Sequence, residues 1–152
     1  MNFPNKKDNT LMQKINEDKW ILCQKVSNIN QMLKVRADIN DSIGNEQYSH
    51  LVTIKHKYTT SDDVLFPELS TLSYFAAFEE KCLEKLEEQK SLIFVATDIN
   101  EGMVQLYVYC KDEQKTILDA IDFFKKNPNF IVEFEVKKDP KWNSFKSMLT
   151  KK

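Results

Sequence analysis

Apolar and polar residues alternate along several short segments of the chain, which is typical of half-exposed β-strands. In the segment QMLKVRADI, one face carries the apolar residues Leu33, Val35, Ala37 and Ile39. The preceding segment WILCQKV and the polar residues SNIN between the two predict a β-hairpin. The run HLVTIKHKY predicts a third strand, which follows a loop with Gly44 as its turn residue.

Apolar residues at spacings of three and four predict two long helices. The first begins near Pro67 and ends near Gln89. Its apolar stripe comprises Leu69, Leu72, Phe75, Ala76, Cys82, Leu83 and Leu86. Glu79 lies beside this stripe, and we expect it to be partly buried and paired with a lysine or a tyrosine. The second helix covers 113–126, with Asp112 as its N-cap. Its stripe comprises Ile117, Ala120, Ile121 and Phe124.

Three more strands complete the predicted sheet. SLIFVATD is a continuous apolar run, as in a central strand covered on both faces. MVQLYVYC follows it, and FIVEFEVK comes after the second helix with Phe130, Val132, Phe134 and Val136 facing inward. From the third strand onward the order is β-α-β-β-α-β, the ferredoxin-like unit.

We therefore predict an α+β fold with a ferredoxin-like core that the N-terminal β-hairpin extends. The sheet is expected to be mostly antiparallel, and right-handed crossovers would place both long helices on one face. A single domain is expected over 20–152. Residues 1–19 are polar and are expected to form a flexible or short helical N-terminus.

The stretch KKDPKWNSF predicts a short C-terminal helix over about 140–149. Asp139 precedes Pro140, and a residue before proline is biased away from helical geometry, as an N-cap requires. Proline suits the first helical position. One face of this helix carries Trp142, Phe145 and Leu149, and we hypothesise that it packs back on the sheet or the helix layer. Asp139 is therefore interpreted as a helix cap and not as a catalytic acid.

Composition narrows the classes of function. The net charge of -1 does not favour a nucleic-acid or anionic membrane partner, and two glycines are too few for a phosphate-binding loop. Three cysteines without a C-x-x-C motif indicate reduced thiols, which we expect to be buried and inert. No apolar run is long enough to span a membrane and no signal peptide is seen, so the expected location is the cytoplasm.

No residues in the sequence form a recognisable catalytic, cofactor-binding or metal-binding set. His50 and His56 would lie about 20 Å apart on one strand, too far to share a metal. Tyr107 and Tyr109 share a sheet face, and together with Trp142 they are the candidate contact surface. Such aromatic residues are enriched at protein contacts and also stack on RNA bases. Alternatively, the tyrosines pack under Trp142 or beside Trp20.

Several motifs occur in an order that resembles a known bacterial family. These are Trp20, FPEL before a helix with FEEKCLEKLE, a strand with VATD, a strand ending YVYCKD, and the closing Asp139-Pro140-x-Trp142-x-x-Phe145. Over residues 19–149 the series resembles domain-of-unknown-function family 695. Members of that family usually have a glycine before the proline of the first helix, whereas this chain has Phe66 at that position.

The resemblance implies an α+β fold and links the chain to domains similar to the regulator of ribonuclease activity B, which bind and inhibit an endoribonuclease. It implies no catalytic residues. Our main hypothesis is therefore a non-catalytic regulatory or protein-binding module. The alternatives are a single-stranded RNA binder that uses Tyr107 and Tyr109, and a small hydrolase of unknown substrate. The oligomeric state stays open.

Overall fold

The computed structural model describes residues 19–23, 31–61, 65–100 and 102–149. Six strands form one sheet: β1 (Trp20–Cys23), β2 (Gln31–Arg36), β3 (His50–Lys57), β4 (Leu92–Asn100), β5 (Met103–Cys110) and β6 (Glu133–Lys138). Their order across the sheet is β1-β2-β4-β5-β3-β6, and every neighbouring pair is antiparallel. The predicted α+β class is confirmed, and the N-terminal strand pair extends the sheet at one edge as predicted.

The described residues form two short 3-10 helices, Asn40–Ser42 and Glu46–Tyr48, and three longer helical units. The first consists of α1 (Leu69–Phe78), a π-helical turn (Glu79–Leu83) and α2 (Glu84–Glu88). The others are α3 (Glu113–Phe124) and α4 (Asn143–Leu149). Asp112 caps α3 as predicted, because its side chain accepts a hydrogen bond from the Lys115 N–H at 3.1 Å. The segment predicted as a flexible or short helical N-terminus lies, apart from Lys19, outside the described residues.

The first hydrophobic core lies between the sheet and the two long helical units, which share one face as predicted. The helices contribute residues such as Phe75, Phe78, Leu83 and Phe124, which pack against Ile54, Phe94, Leu106 and Val108 of the strands. Five of the 17 described buried residues of this core are aromatic. The neighbouring rings of Phe78 and Phe124 have centroids 4.4 Å apart. Large apolar side chains on both layers account for this packing.

A second core covers the opposite face of the sheet. There, α4 and the segment 39–48 pack over β2, β4, β5 and β3. The buried residues include Val35, Tyr48, Leu51, Tyr109, Trp142 and Phe145. The C-terminal helix was expected to pack on the sheet or on the helix layer. The structure shows that it packs on the sheet. As a result, the sheet is covered on both faces near its centre.

Some predicted burial is wrong in detail. Ile121 was expected in the stripe of α3 but is 42% exposed, while Thr116 is buried instead. The helix is rotated so that Thr116, Ala120 and Phe124 point to the sheet. Val136 was expected to face inward but is 41% exposed, because β6 is the edge strand of the sheet that the described residues form and has a strand neighbour there on one side only.

Candidate functional site

The structure places Tyr109 and Trp142 in the second core. Their rings are stacked, with centroids 4.1 Å apart and an interplanar angle of 6°, and both side chains are fully buried. The indole Nε1–H of Trp142 donates to the carbonyl oxygen of Tyr48 at 2.9 Å. An exposed contact surface through these two residues is therefore excluded, and the alternative interpretation, that the tyrosine packs under Trp142, applies to Tyr109.

Asp139 lies at the centre of the same cluster and is 6% exposed. It accepts hydrogen bonds from the Tyr109 hydroxyl at 2.7 Å and from the backbone N–H groups of Asn143 and Ser144 at 3.0 Å each. Burial alone would raise the pKa of Asp139, but these three hydrogen bonds outweigh burial and lower it. Asp139 is therefore an ionised cap at the start of α4, as the cap interpretation requires.

The helix behind this cap begins later than predicted. Pro140 and Lys141 form a turn, and α4 begins at Asn143 instead of at about residue 140. Trp142 lies before the helix with a positive φ of 60°. An L-residue in this region is strained by roughly 1–2 kcal/mol, so the buried ring and its hydrogen bond must hold the backbone there. The proline is thus a turn residue and not the first helical residue.

Tyr107 is the one predicted contact residue that remains half-buried. It lines a cavity of about 210 Å³ beside β6, together with Thr53, Glu135, Lys137 and Ser144. Burial first, and then the negative charges of Asp98 and Glu135, raise its pKa to about 12. Because Tyr109 on the same face is covered, Tyr107 does not form a stacking pair with it at the surface. RNA recognition through both tyrosines loses its structural basis.

The described cysteine side chains, Cys82 and Cys110, are free and buried, as predicted for inert thiols. Burial is the main reason that the pKa of each rises to about 11. A nucleophilic cysteine needs the opposite shift. The side chain of Cys23 lies outside the described residues.

The two histidines lie on the same strand, as predicted, and their side chains have different neighbours. His56 is buried, and its Nδ1 lies 2.8 Å from the carbonyl oxygen of Ile131. His50 lies 3.4 Å from a carboxylate oxygen of Glu113. Among the described residues, no group of three His, Cys, Asp or Glu side chains is arranged to hold a metal ion.

A cavity between α1 and the sheet is the feature that sequence reasoning missed. Its volume is about 370 Å³. Its walls are mostly apolar and are formed by Met32, Phe66, Leu69, Leu72, Phe75, Ala76, Ile99 and Val104. Leu69 was predicted to be buried but is 78% exposed, and Ala76 is exposed as well. The N-terminal half of the predicted stripe is therefore open to a cavity and not covered by the sheet.

One end of this cavity carries a buried ion pair. The Nζ of Lys34 lies 2.6 Å from Oε1 of Glu79, and both side chains are almost fully buried. The Thr97 hydroxyl donates to the other carboxylate oxygen of Glu79 at 2.8 Å. Lys34 also lies 4.5 Å from the centre of the Trp20 ring. The expected pairing of a partly buried Glu79 with a lysine is confirmed.

Glu79 owes its position to the π-helical turn that it begins. The N–H of Glu84 bonds to the carbonyl oxygen of Glu79, five residues earlier. Such a turn widens the helix and often occurs at functional sites. The only sequence signal for the cavity was this acidic residue beside an apolar stripe. The uncovered leucine could not be recognised, because periodicity identifies an apolar face but not what covers it.

These observations define the class of the protein: an α+β protein with a six-stranded antiparallel sheet, helices on both faces and an apolar cavity under its first helix. The chain belongs to a family of unknown function, DUF695, whose model matches residues 18–150. No curated protein and no solved structure matches the chain significantly. No helix in the described part of the chain has the length and apolar character needed to cross a membrane.

Proposed function

We propose that this protein is a non-catalytic binding module and that its site is the cavity between α1 and the sheet. The observation that carries the proposal is the uncovered stripe on α1. Leu69 is 78% exposed, although its helical spacing to Leu72 and Phe75 predicts that it is buried. Apolar side chains that remain exposed beside an apolar cavity are typical of a surface that binds a partner.

The occupant that fits best is an amphipathic helix of a partner protein. Leu69, Leu72 and Ala76 follow the i, i+3, i+7 spacing by which one helix packs along another. Ala76 is small, which lets a second helix approach closely. The charges of Lys34 and Glu79 neutralise each other, so the cavity favours apolar side chains over a charged group.

The chemistry of the site supports binding over catalysis. Lys34 and Glu79 are the ionisable groups that line the cavity, and they are bonded to each other. A general acid or base must instead be free to reach a substrate. Because the family is grouped with domains similar to the regulator of ribonuclease activity B, we propose by analogy that partner binding is regulatory. The free thiols of Cys82 and Cys110 favour a reducing compartment, and we propose the bacterial cytoplasm.

The ferredoxin-like assignment of the fold is part of this proposal. The strand order β4-β5-β3-β6, with α1–α2 between β3 and β4 and α3 between β5 and β6, is the order of a β-α-β-β-α-β unit. An experimental structure in which both crossovers are right-handed would support this topology. A left-handed crossover would overturn it.

The binding site is tested with a photo-crosslinking amino acid placed at Leu69 in the full chain. The matched control carries the same amino acid at Ile131, which is similarly exposed at 74% but lies outside the cavity. We expect one polypeptide to crosslink at Leu69 and not at Ile131. The variant Ala76→Glu should abolish this crosslink, because it places an unpaired charge against the apolar wall.

Two outcomes would overturn the proposal. One is equal crosslinking at both positions, which indicates non-specific contact. The other is a crosslink at Leu69 that A76E leaves unchanged. If the crosslinked peptide, identified by mass spectrometry, is not helical and apolar on one face, the occupant has been assigned incorrectly.

A further inference from the structure

The outer edge of β6 is a second surface with specific chemistry. This strand ends the sheet, and within residues 19–23, 31–61, 65–100 and 102–149 no strand pairs with its outer side. The free backbone groups of an edge strand can pair with another strand. One apolar side chain on this strand is exposed: Val136 at 41%.

Ile121 of α3, which is 42% exposed, lies on the same side of the molecule as Val136. Lys115, Asp119 and Phe123 occupy the flank of α3 that faces the first helical unit, where they line a shared cavity. Ile121 lies on the opposite flank of α3 by helical geometry. Since α3 lies against β3 and the outer neighbour of β3 is β6, this flank faces the β6 edge.

Val136 points to the same face of the sheet as α3. Its partner on β3 is Val52, a residue of the core beneath the long helices. Directly paired residues in an antiparallel ladder share a face. Val136 is therefore exposed on the sheet face that α3 covers, on the side to which Ile121 points.

We propose that β6 pairs antiparallel with β6 of a second copy of this chain, about a two-fold axis at Val136. In this register Val136 faces Val136 of the second copy, and Phe134 faces Lys138. On the opposite face Glu135 is opposite Lys137, and symmetry produces this pair twice. The paired segment is Phe134–Lys138, and the two sheets become one continuous sheet.

Charge selects this register over its neighbours. A shift that centres the axis on Glu135 sets two carboxylates opposite each other, and a shift that centres it on Lys137 sets two ammonium groups opposite each other. Like charges directly opposite are destabilising, and opposite charges stabilise a strand pair. In an antiparallel pair, directly opposite residues must lie on the same face of the sheet. Among the registers along Phe134–Lys138 that meet this condition, only the one centred on Val136 has no pair of like charges.

The second copy is favoured over another partner because the edge is complementary to itself. A two-fold axis at Val136 also brings the two exposed Val136 side chains together, so each copy covers Val136 of the other. The contact is small and its rim is charged, so we expect a weak dimer that dissociates on dilution. This inference does not depend on the helix-binding function proposed above.

The charge pairing is tested by sedimentation velocity over a series of protein concentrations. We expect a concentration-dependent dimer for the wild-type chain. Lys137→Glu should weaken it about tenfold, because it sets like charges opposite at both symmetric positions. The double variant Glu135→Lys with Lys137→Glu should restore the affinity. The control Lys141→Glu changes the charge equally outside the paired segment and should leave the dimer unchanged.

The axis is tested by oxidative crosslinking of single cysteine variants. Cysteines directly opposite in an antiparallel pair are close enough for a disulfide. Val136→Cys should therefore form covalent dimers much faster than Lys138→Cys on the same strand face. A monomer at every concentration, a dimer insensitive to K137E, or equal crosslinking of V136C and K138C would each overturn the proposal.

Discussion

The ring of Trp142 lies parallel to the ring of Tyr109 at a centroid distance of 4.1 Å, and this stack joins the C-terminal turn to the middle of the sheet. Tyr109 is paired with Leu51 and Ile93 on the neighbouring strands, so the stack rests on three adjacent strands. The Tyr109 hydroxyl also binds Asp139 and accepts a hydrogen bond from the Phe145 N–H at 3.3 Å. One tyrosine thus connects the cap, the tryptophan and the helix.

Replacement of Tyr109 by Phe should destabilise the protein by about 1.5–3 kcal/mol, because a hydrogen bond to a buried carboxylate is lost while the ring remains. The measurement is the free energy of unfolding in urea. Tyr107→Phe is the matched control, since it removes a hydroxyl from the same strand face that does not bind Asp139. Equal losses for both variants would show that the bond from Tyr109 to Asp139 is not the source of stability.

The ionised state of Asp139 should appear in the pH dependence of stability. Its pKa is lowered in the folded state from an ordinary value of 3.8, so its contribution is complete above about pH 4. That contribution is lost as the pH falls through the lower folded pKa, because the unfolded state then binds more protons. The difference in unfolding free energy between wild type and Asp139→Asn should therefore shrink as the pH falls below about 4.

Carboxylates shared by the two proteins, such as Asp38, cancel in this comparison. A difference that is constant or that grows with acid would contradict the assignment of Asp139 as an ionised cap.

Lys90 offers a stabilising substitution. It follows α2 with a positive φ of 64°. The N–H of Lys90 donates a hydrogen bond to the carbonyl oxygen of Glu87 at 2.9 Å. The N–H of Ser91 donates to the carbonyl oxygen of Leu86 at 3.0 Å. This is the Schellman arrangement, in which glycine is preferred. Lys90→Gly should raise the free energy of unfolding by about 0.5–1 kcal/mol because it relieves the left-handed strain.

The control for this prediction is Lys85→Gly, an exposed position within α2 with ordinary helical geometry. It should lower stability by about 1 kcal/mol. If both glycine variants are destabilised alike, the strain at Lys90 is negligible.

The ion pair beside the cavity should behave non-additively. Lys34→Met leaves the Glu79 carboxylate nearly buried with the Thr97 hydroxyl as its remaining partner among the described residues, so we expect a loss of about 3 kcal/mol in the free energy of unfolding. The double variant Lys34→Met with Glu79→Met should lose less than the sum of the single variants, because no buried charge remains. Urea unfolding of all four proteins gives the coupling free energy, and simple additivity would contradict the close pairing seen in the structure.

Local rules predicted much of the fold correctly. The cap at Asp112, the strand MVQLYVYC and the alternation in β2 all depend on residues close in sequence. Even the pairing of Glu79 with a lysine was expected, because an acidic residue at the border of an apolar stripe needs a counter-charge when it is buried. The identity of that lysine was not predicted, because it lies on β2, 45 positions away.

The sequence by itself determined the order and type of the elements, the role of Asp139 as a cap and the family of the chain. Only the tertiary structure decided that Tyr109 and Trp142 are covered while Leu69 and Val136 are not. Periodicity marks the apolar side of a helix or strand, but burial depends on which other element lies above it. That choice arises from contacts between distant parts of the chain, so the cavity and the β6 edge became visible only in the folded molecule.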